Sequence, residues 1–212
     1  MPVFVLSRRQ LLVWLFLAVI YGGGADAAAW AQADDPAFRA QRFIQALGLD
    51  LIDAAADQTL TRATRSERLR TLFHRGFDSP SIARFVLGRY WTVATPAERQ
   101  EYLTLFEDMV VRFCARRFNL ARGAAFRVTG GRPESDRDVV VVTELWLAKG
   151  RPVSVAWRVR EGDRRLAIVD VEVAGLSMSL TQRQAVSAEI QATGGNIKEF
   201  LQHLRQSNTA QQ

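Results

Sequence analysis

An α+β fold is predicted for this chain: a helical part packed on a curved antiparallel sheet of about four strands, enclosing an apolar cavity. Three observations lead there. Apolar residues recur at helical spacing from Pro36 to Phe118, and between Phe126 and Val173 the period shortens to about 2. The strand-like runs are separated by turns short enough to make them antiparallel neighbours. A sheet with one polar face must bury the other under helices, and if it curls, a space opens between the two layers.

The N-terminal segment is of another kind. Arg8 and Arg9 precede an uncharged apolar run from Leu11 to Tyr21, and AWAQAD offers Ala-x-Ala cleavage sites ending at Ala31 or Ala33. The run is shorter than the ~20 residues a helix needs to span hydrocarbon, so residues 1–33 read as a secretory signal peptide rather than an anchor. SRRQLL also matches a twin-arginine signal, but the strongly apolar run favours the general secretory route. The folded domain is expected over residues 34–206 and a disordered tail over 207–212.

The chain holds 28 Lys plus Arg against 22 Asp plus Glu, a net charge of +6. The leader contains Arg8, Arg9 and Asp26, so the remainder keeps 26 basic and 21 acidic residues, or +5. Lys149 and Lys198 are the only lysines, and a positive surface of this kind favours anionic partners such as phosphate headgroups. Cys114 is the only cysteine, so no intramolecular disulfide staples the fold.

Along the domain, Phe38, Phe43, Ile44, Leu47, Leu51, Ile52 and Ala55 mark a first amphipathic helix, with Asp50, Asp53 and Asp57 on its other side. TRSE predicts a second helix capped by Thr64 and Glu67 and stopped by a left-handed Gly76. Ser79-Pro80 restarts a helix to about Arg89, and TPAE, Thr95 to Glu98, opens a long one. Strands are predicted at Phe126, Val139–Leu147, Pro152–Arg160 and Arg165–Val173. Helices from about Thr181 to Thr193 and on to about Arg205 complete the chain.

Motifs for chemistry are scarce. His74 and His203 stand in no metal-ligand spacing with Cys114, and no nucleophile elbow, phosphate loop or dinucleotide fingerprint is present outside the leader. No cofactor is expected. Glu107-Asp108 and Asp170-Glu172 are the carboxylates available for acid-base work, although a helix face and strand ends ordinarily carry such charges to water. The arginines are dispersed rather than clustered, which argues against nucleic acid as a partner.

The apolar residues are more informative. FDSPSIARFVLGRYW, Phe77 to Trp91, projects Ile82, Phe85 and Val86 from one helix and Tyr90 and Trp91 directly after it. Phe106, Met109, Val110 and Phe113 lie on adjoining stripes of the long helix, and Trp146 and Trp157 stand on strands. Bulky groups on both sides of a helix-sheet gap suit an apolar ligand, and a charged residue at Phe85 or Val86 is expected to lower its binding while the fold survives.

Two blocks also resemble a known family. FDSPSIARFVLGRYWTVATPAERQEYLTLFEDMVVRFCARRF, Phe77 to Phe118, is similar to the hallmark region of the MlaC family of periplasmic phospholipid-binding, or toluene-tolerance, proteins; IVDVEVAGLSMSLTQR, Ile168 to Arg183, resembles its second block. The resemblance implies an NTF2-like sheet beside a helical part, with acyl tails in a deep pocket and no enzymatic activity. It implies a shuttle that carries phospholipid between an outer-membrane lipoprotein-porin complex and an inner-membrane ABC transporter with an MCE-domain subunit, maintaining outer-membrane lipid asymmetry. Phe77, Ile82, Phe85, Val86, Tyr90 and Trp91 fall in the matching block and are the first pocket candidates; Arg84 and Arg89 stand either at the mouth or on internal carboxylates. Ala185, Val186, Leu166 and Ala167 replace bulkier family residues, which keeps open a hopanoid-associated subgroup. An NTF2-like enzyme using Glu107, Asp108 or Asp170, and a ligand-free adaptor with a filled helix-sheet gap, are the competing readings.

Overall fold

The computed structural model describes residues 35–57, 59–117, 123–147, 151–163 and 165–210. The predicted leader, residues 1–33, lies outside the described residues. The helices before the sheet are α1 (Pro36–Ala56), α2 (Arg62–Gly76), α3 (Ser79–Leu87), α4 (Tyr90–Val93) and α5 (Pro96–Arg117). Strands β1 (Ala125–Pro133), β2 (Asp138–Trp146), β3 (Val153–Glu161), β4 (Leu166–Val173) and β5 (Leu176–Ser177) follow, then α6 (Met178–Ala192) and α7 (Ile197–Ala210).

Local chemistry sets the boundaries. The Asp35 carboxylate accepts from the Ala37 amide, with Pro36 in the first turn of α1. At α5 the capping box closes as predicted: Thr95 N–H donates to Glu98 Oε2 at 2.8 Å and Glu98 N–H to Thr95 Oγ1 at 3.2 Å. The donation from the Thr95 amide, joined by its hydroxyl, holds the Glu98 carboxyl below its ordinary pKa. Helix α2 starts three residues earlier than expected, because Thr61 Oγ1 takes the Thr64 amide and places Thr64 inside the helix. Gly76 is not a left-handed stop; its missing side chain leaves room for Leu47, whose Cδ2 would stand 2.6 Å from an added Cβ. Gly88, at φ 60°, supplies the left-handed stop instead, two residues before α4.

The C-terminus departs from expectation. Residues 207–210, read as the start of a disordered tail, continue α7. Asn208 is buried and donates to the Leu105 carbonyl at 3.0 Å, while Arg112 donates to the Asn208 carbonyl, so side-chain bonds tie this helix to α5. A buried amide side chain with a backbone partner is a tertiary clamp, and local composition does not reveal it.

The sheet is an open antiparallel meander in the order β1-β2-β3-β4-β5, the expected four strands plus a two-residue fifth. Val139 opposes Val159, Val141 opposes Trp157, and Thr143 opposes Val155, which puts these residues on one face. Helix α1 crosses that face over β1 and β2. Gly48 permits the approach, since an added Cβ would lie 2.5 Å from the Phe126 ring. Its cost in helix propensity, about 1 kcal/mol relative to alanine, is offset by that packing.

Two apolar clusters result. The first joins α1 and α2 to the sheet through Ala40, Ile44, Leu47, Leu69, Leu72, Val141, Val159 and Ile168. The second is helical, built from Val86 and Leu87 of α3, Tyr90 of α4, Tyr102 and Phe106 of α5, Ile190 of α6 and Phe200 of α7. Helix α5 belongs to both, with Val111 in the first and Leu105 in the second. The expected fold class is observed, helices packed on an antiparallel sheet; the sheet is open rather than curled, and side chains of the first cluster occupy the layer beneath it. Surface depressions lie elsewhere, at the β1–β2 turn, lined by Ser135, Asp136, Arg137, Asp138 and Arg160. Arg160 grips Asp138 there through two bonds of 2.7 Å.

Candidate functional site

The α2–α3 junction is pinned to the sheet by backbone. Asp78 N–H donates to the Ile168 carbonyl at 2.9 Å, and Arg165 donates to the carbonyls of Arg75 and Phe77 at 2.7 and 2.9 Å. Phe77 is thereby held over β4 with its ring 4.8 Å from that of Phe73, at the edge of the first cluster. Helix α3 leaves this point for the second cluster, its Asp78 cap accepting from the Ser81 amide.

The predicted residues divide into groups. Val86, Tyr90 and Phe106 are buried within the helical cluster, and Ile82, Trp91, Met109 and Val110 are half-buried at its margin. Phe77 and Trp157 sit at the margin of the sheet cluster. Helix α5 contributes to both clusters, and α6 reaches it where Gln182 Nε2 contacts Met109 Sδ at 4.0 Å. Trp157 donates its indole N–H to Thr143 Oγ1 at 2.8 Å, and the Thr143 hydroxyl donates to the Val155 carbonyl at 3.1 Å, so the ring is free to present carbon.

Three placements differ from expectation. Trp146 is even-numbered on β2 where Val141 faces the core, so it lies on the opposite face from Trp157, under the Arg127 guanidinium at 5.1 Å. Phe85 is 42% exposed, with the Arg183 guanidinium 4.8 Å above its ring, and Phe113 is exposed as well. The helical stripe identified these residues as apolar but could not give the direction of their neighbours. Arg84 and Arg89 meet aromatic rings: Arg84 lies 5.9 Å from Trp91, and Arg89 lies 5.1 Å from Tyr90 while donating to its hydroxyl at 3.1 Å.

Sequence reasoning did not single out Tyr102. It is almost fully buried between Phe106 and Phe200, and its hydroxyl has no hydrogen-bond partner. Burial drives its pKa well above the usual 10. Tyr102→Phe is therefore expected to hold or gain about 1 kcal/mol of stability in urea unfolding, because it deletes an orphaned polar atom. A clear loss would show that a bound water or ligand normally completes this bond. In the unaltered protein, stability is fully present below pH 10 and falls above it, where the unfolded phenol ionises and the folded one does not.

The candidate carboxylates are committed to structural bonds. Arg70 bridges Glu107 at 2.5 Å and Asp108 at 2.7 Å, and His74 Nε2 reaches Glu107 at 3.1 Å, joining α2 to α5. Asp170 Oδ1 accepts from the amides of Val171 and Ser179, and Oδ2 from the Ser177 hydroxyl at 2.6 Å. Among the described residues no group of His, Cys, Asp and Glu is arranged to hold a metal ion, and no helix is long and apolar enough to cross a membrane.

Fold and site define a helix-on-sheet α+β domain with two apolar clusters that share its longest helix and polar groups occupied in holding elements together. The chain belongs to the MlaC family, whose pattern matches residues 42–206. The solved structure of a phospholipid-binding protein from Ralstonia solanacearum, in complex with a phospholipid, is similar in fold, with a TM-score of 0.70 and 22% identity over 81% of this chain and 97% of that one. Comparison with curated proteins returns no match.

Proposed function

We propose that this protein is a non-enzymatic phospholipid carrier, exported to the periplasm by residues 1–33. There it shuttles lipid between an outer-membrane lipoprotein-porin complex and an inner-membrane ABC transporter with an MCE-domain subunit, and so helps maintain outer-membrane lipid asymmetry. Family membership over most of the domain carries the proposal. It is supported by half-buried apolar side chains at the margins of both clusters, Phe77 and Trp157 at the first and Ile82, Trp91, Met109 and Val110 at the second. Acyl tails enter by displacing these side chains, each buried methylene contributing ~0.8 kcal/mol. The exposed arginines Arg84 and Arg89 remain available for the headgroup phosphate.

Lipid extraction tests the reading. Protein purified from a bacterial periplasm without detergent is expected to release stoichiometric phospholipid, identified by mass spectrometry of organic extracts. A hopanoid would assign the protein to the polycyclic-lipid subgroup. Ala185 is exposed, so the room for such a body falls to half-buried Leu166 and to Val186 and Ala167, both buried. Well-folded protein without lipid would overturn the carrier reading in favour of an adaptor, for which a filled helix-sheet layer is the resting state.

A further inference from the structure

We propose that the surface made by the C-terminal half of α3, α4, β5 and the first turns of α6 docks directly on an anionic lipid bilayer. Seven large apolar side chains are exposed among the described residues, and five of them are here: Phe85, Val93, Leu176, Met178 and Leu180. Segments 79–93 and 174–188 also contain Arg84, Arg89 and Arg183 but no Asp, Glu or Lys. In a chain with 22 carboxylates, two adjoining segments without one and with this much exposed carbon are a local departure; the neighbouring acids Asp170 and Glu172 stand on β4 beside Ser177.

The two segments are neighbours. Helix α3 packs along α6, and Arg183 lies over Phe85 and beside Gly88. Leu180 stands one turn before Arg183 on α6. The chain reaches it through a tight β4–β5 turn in which Ala174 and Gly175 both have positive φ, 51° and 81°. That conformation is costly for alanine, and it holds Leu176 outward at 65% exposure. Asp170 fixes the far side of the turn through Ser177 and Ser179.

The chemistry fits a bilayer better than a protein. Apolar tips separated by guanidinium groups insert into the boundary between headgroups and acyl chains, while the arginines bind lipid phosphates. A fluid surface requires no matching shape, and segments that carry arginines but no acids are drawn to negative lipid. This inference shares α3, α4, Arg84 and Arg89 with the carrier reading but stands on exposed Leu176, Met178 and Leu180 and on Arg183, which that reading does not use.

Vesicle co-sedimentation of the full mature protein tests it. Binding is expected to vesicles containing phosphatidylglycerol and to weaken with salt, with little binding to phosphatidylcholine alone. Leu176→Asp with Leu180→Asp is expected to abolish sedimentation, and Arg183→Gln to lower it about fivefold. Circular dichroism and extracted lipid, both unchanged in the double variant, would separate docking from folding and from the carrier function. Absence of vesicle binding, equal binding to neutral vesicles, or an unaffected double variant would overturn the proposal. So would a loss confined to capture by a protein partner, which would assign the patch to that partner.

Discussion

Replacing Val86 with aspartate is expected to leave no folded protein, whereas the same change at Phe85, the preceding residue, is expected to be tolerated. Val86 is 1% exposed and packed in the helical cluster. The substitution loses the transfer free energy of a buried branched side chain, about 1.5 kcal/mol or more, and places an unpaired carboxylate among carbon, which costs several kcal/mol further. The total reaches the lower end of the ~5–15 kcal/mol by which domains are stable. Phe85 instead faces solvent, and an aspartate there meets the Arg183 guanidinium, so a cost of about 1 kcal/mol or less is expected. Soluble yield and far-ultraviolet circular dichroism of the two variants decide the matter. A Val86→Asp protein melting like the parent would mean that α3 is not packed against α6. The sequence-based expectation treated both positions as pocket residues able to accept a charge, and burial corrects it for Val86.

Asp170→Ala is expected to destabilise the protein by about 2–4 kcal/mol, seen as a lower urea midpoint with an unchanged slope. The carboxylate accepts three hydrogen bonds, from the amides of Val171 and Ser179 and the hydroxyl of Ser177. Ser177 in turn caps α6 by accepting the Leu180 amide at 3.1 Å. Removing Asp170 leaves the Ser179 amide without its partner and loosens the cap of the helix that supplies Val186 and Ile190 to the second cluster. Asp170→Asn, retaining an acceptor, is expected to recover part of the loss. A variant of full stability would return Asp170 to the list of carboxylates free for catalysis.

Much of the architecture was legible because it is written locally. Thr95-Pro96 with Glu98, and Ser79-Pro80 behind Asp78, start helices through bonds spanning three residues. Alternation in Val153, Val155, Trp157 and Val159 gave one strand face directly. What was missed depends on distant partners. Thr61 competed successfully with Thr64 for the α2 cap, Gly76 serves contact with Leu47 rather than backbone conformation, and Asn208 holds its helix through Leu105. For the site, the Phe77–Trp91 segment disclosed its apolar investment, yet Trp146 needed the strand register, and Phe85 the position of Arg183, before either could be oriented.

The meander order of the sheet has a consequence for how the chain acquires its structure. Each strand pairs with its neighbour in sequence, so the sheet can assemble hairpin by hairpin with short loop closures, the condition for rapid folding. Helix α1 is the exception: it precedes the strands it covers, and Ile44 and Leu47 have no sheet to rest on until β1 and β2 have been made. A chain emerging N-terminus first therefore spends its earliest moments with that stripe bare, and α1 is the element that a chaperone has most reason to hold.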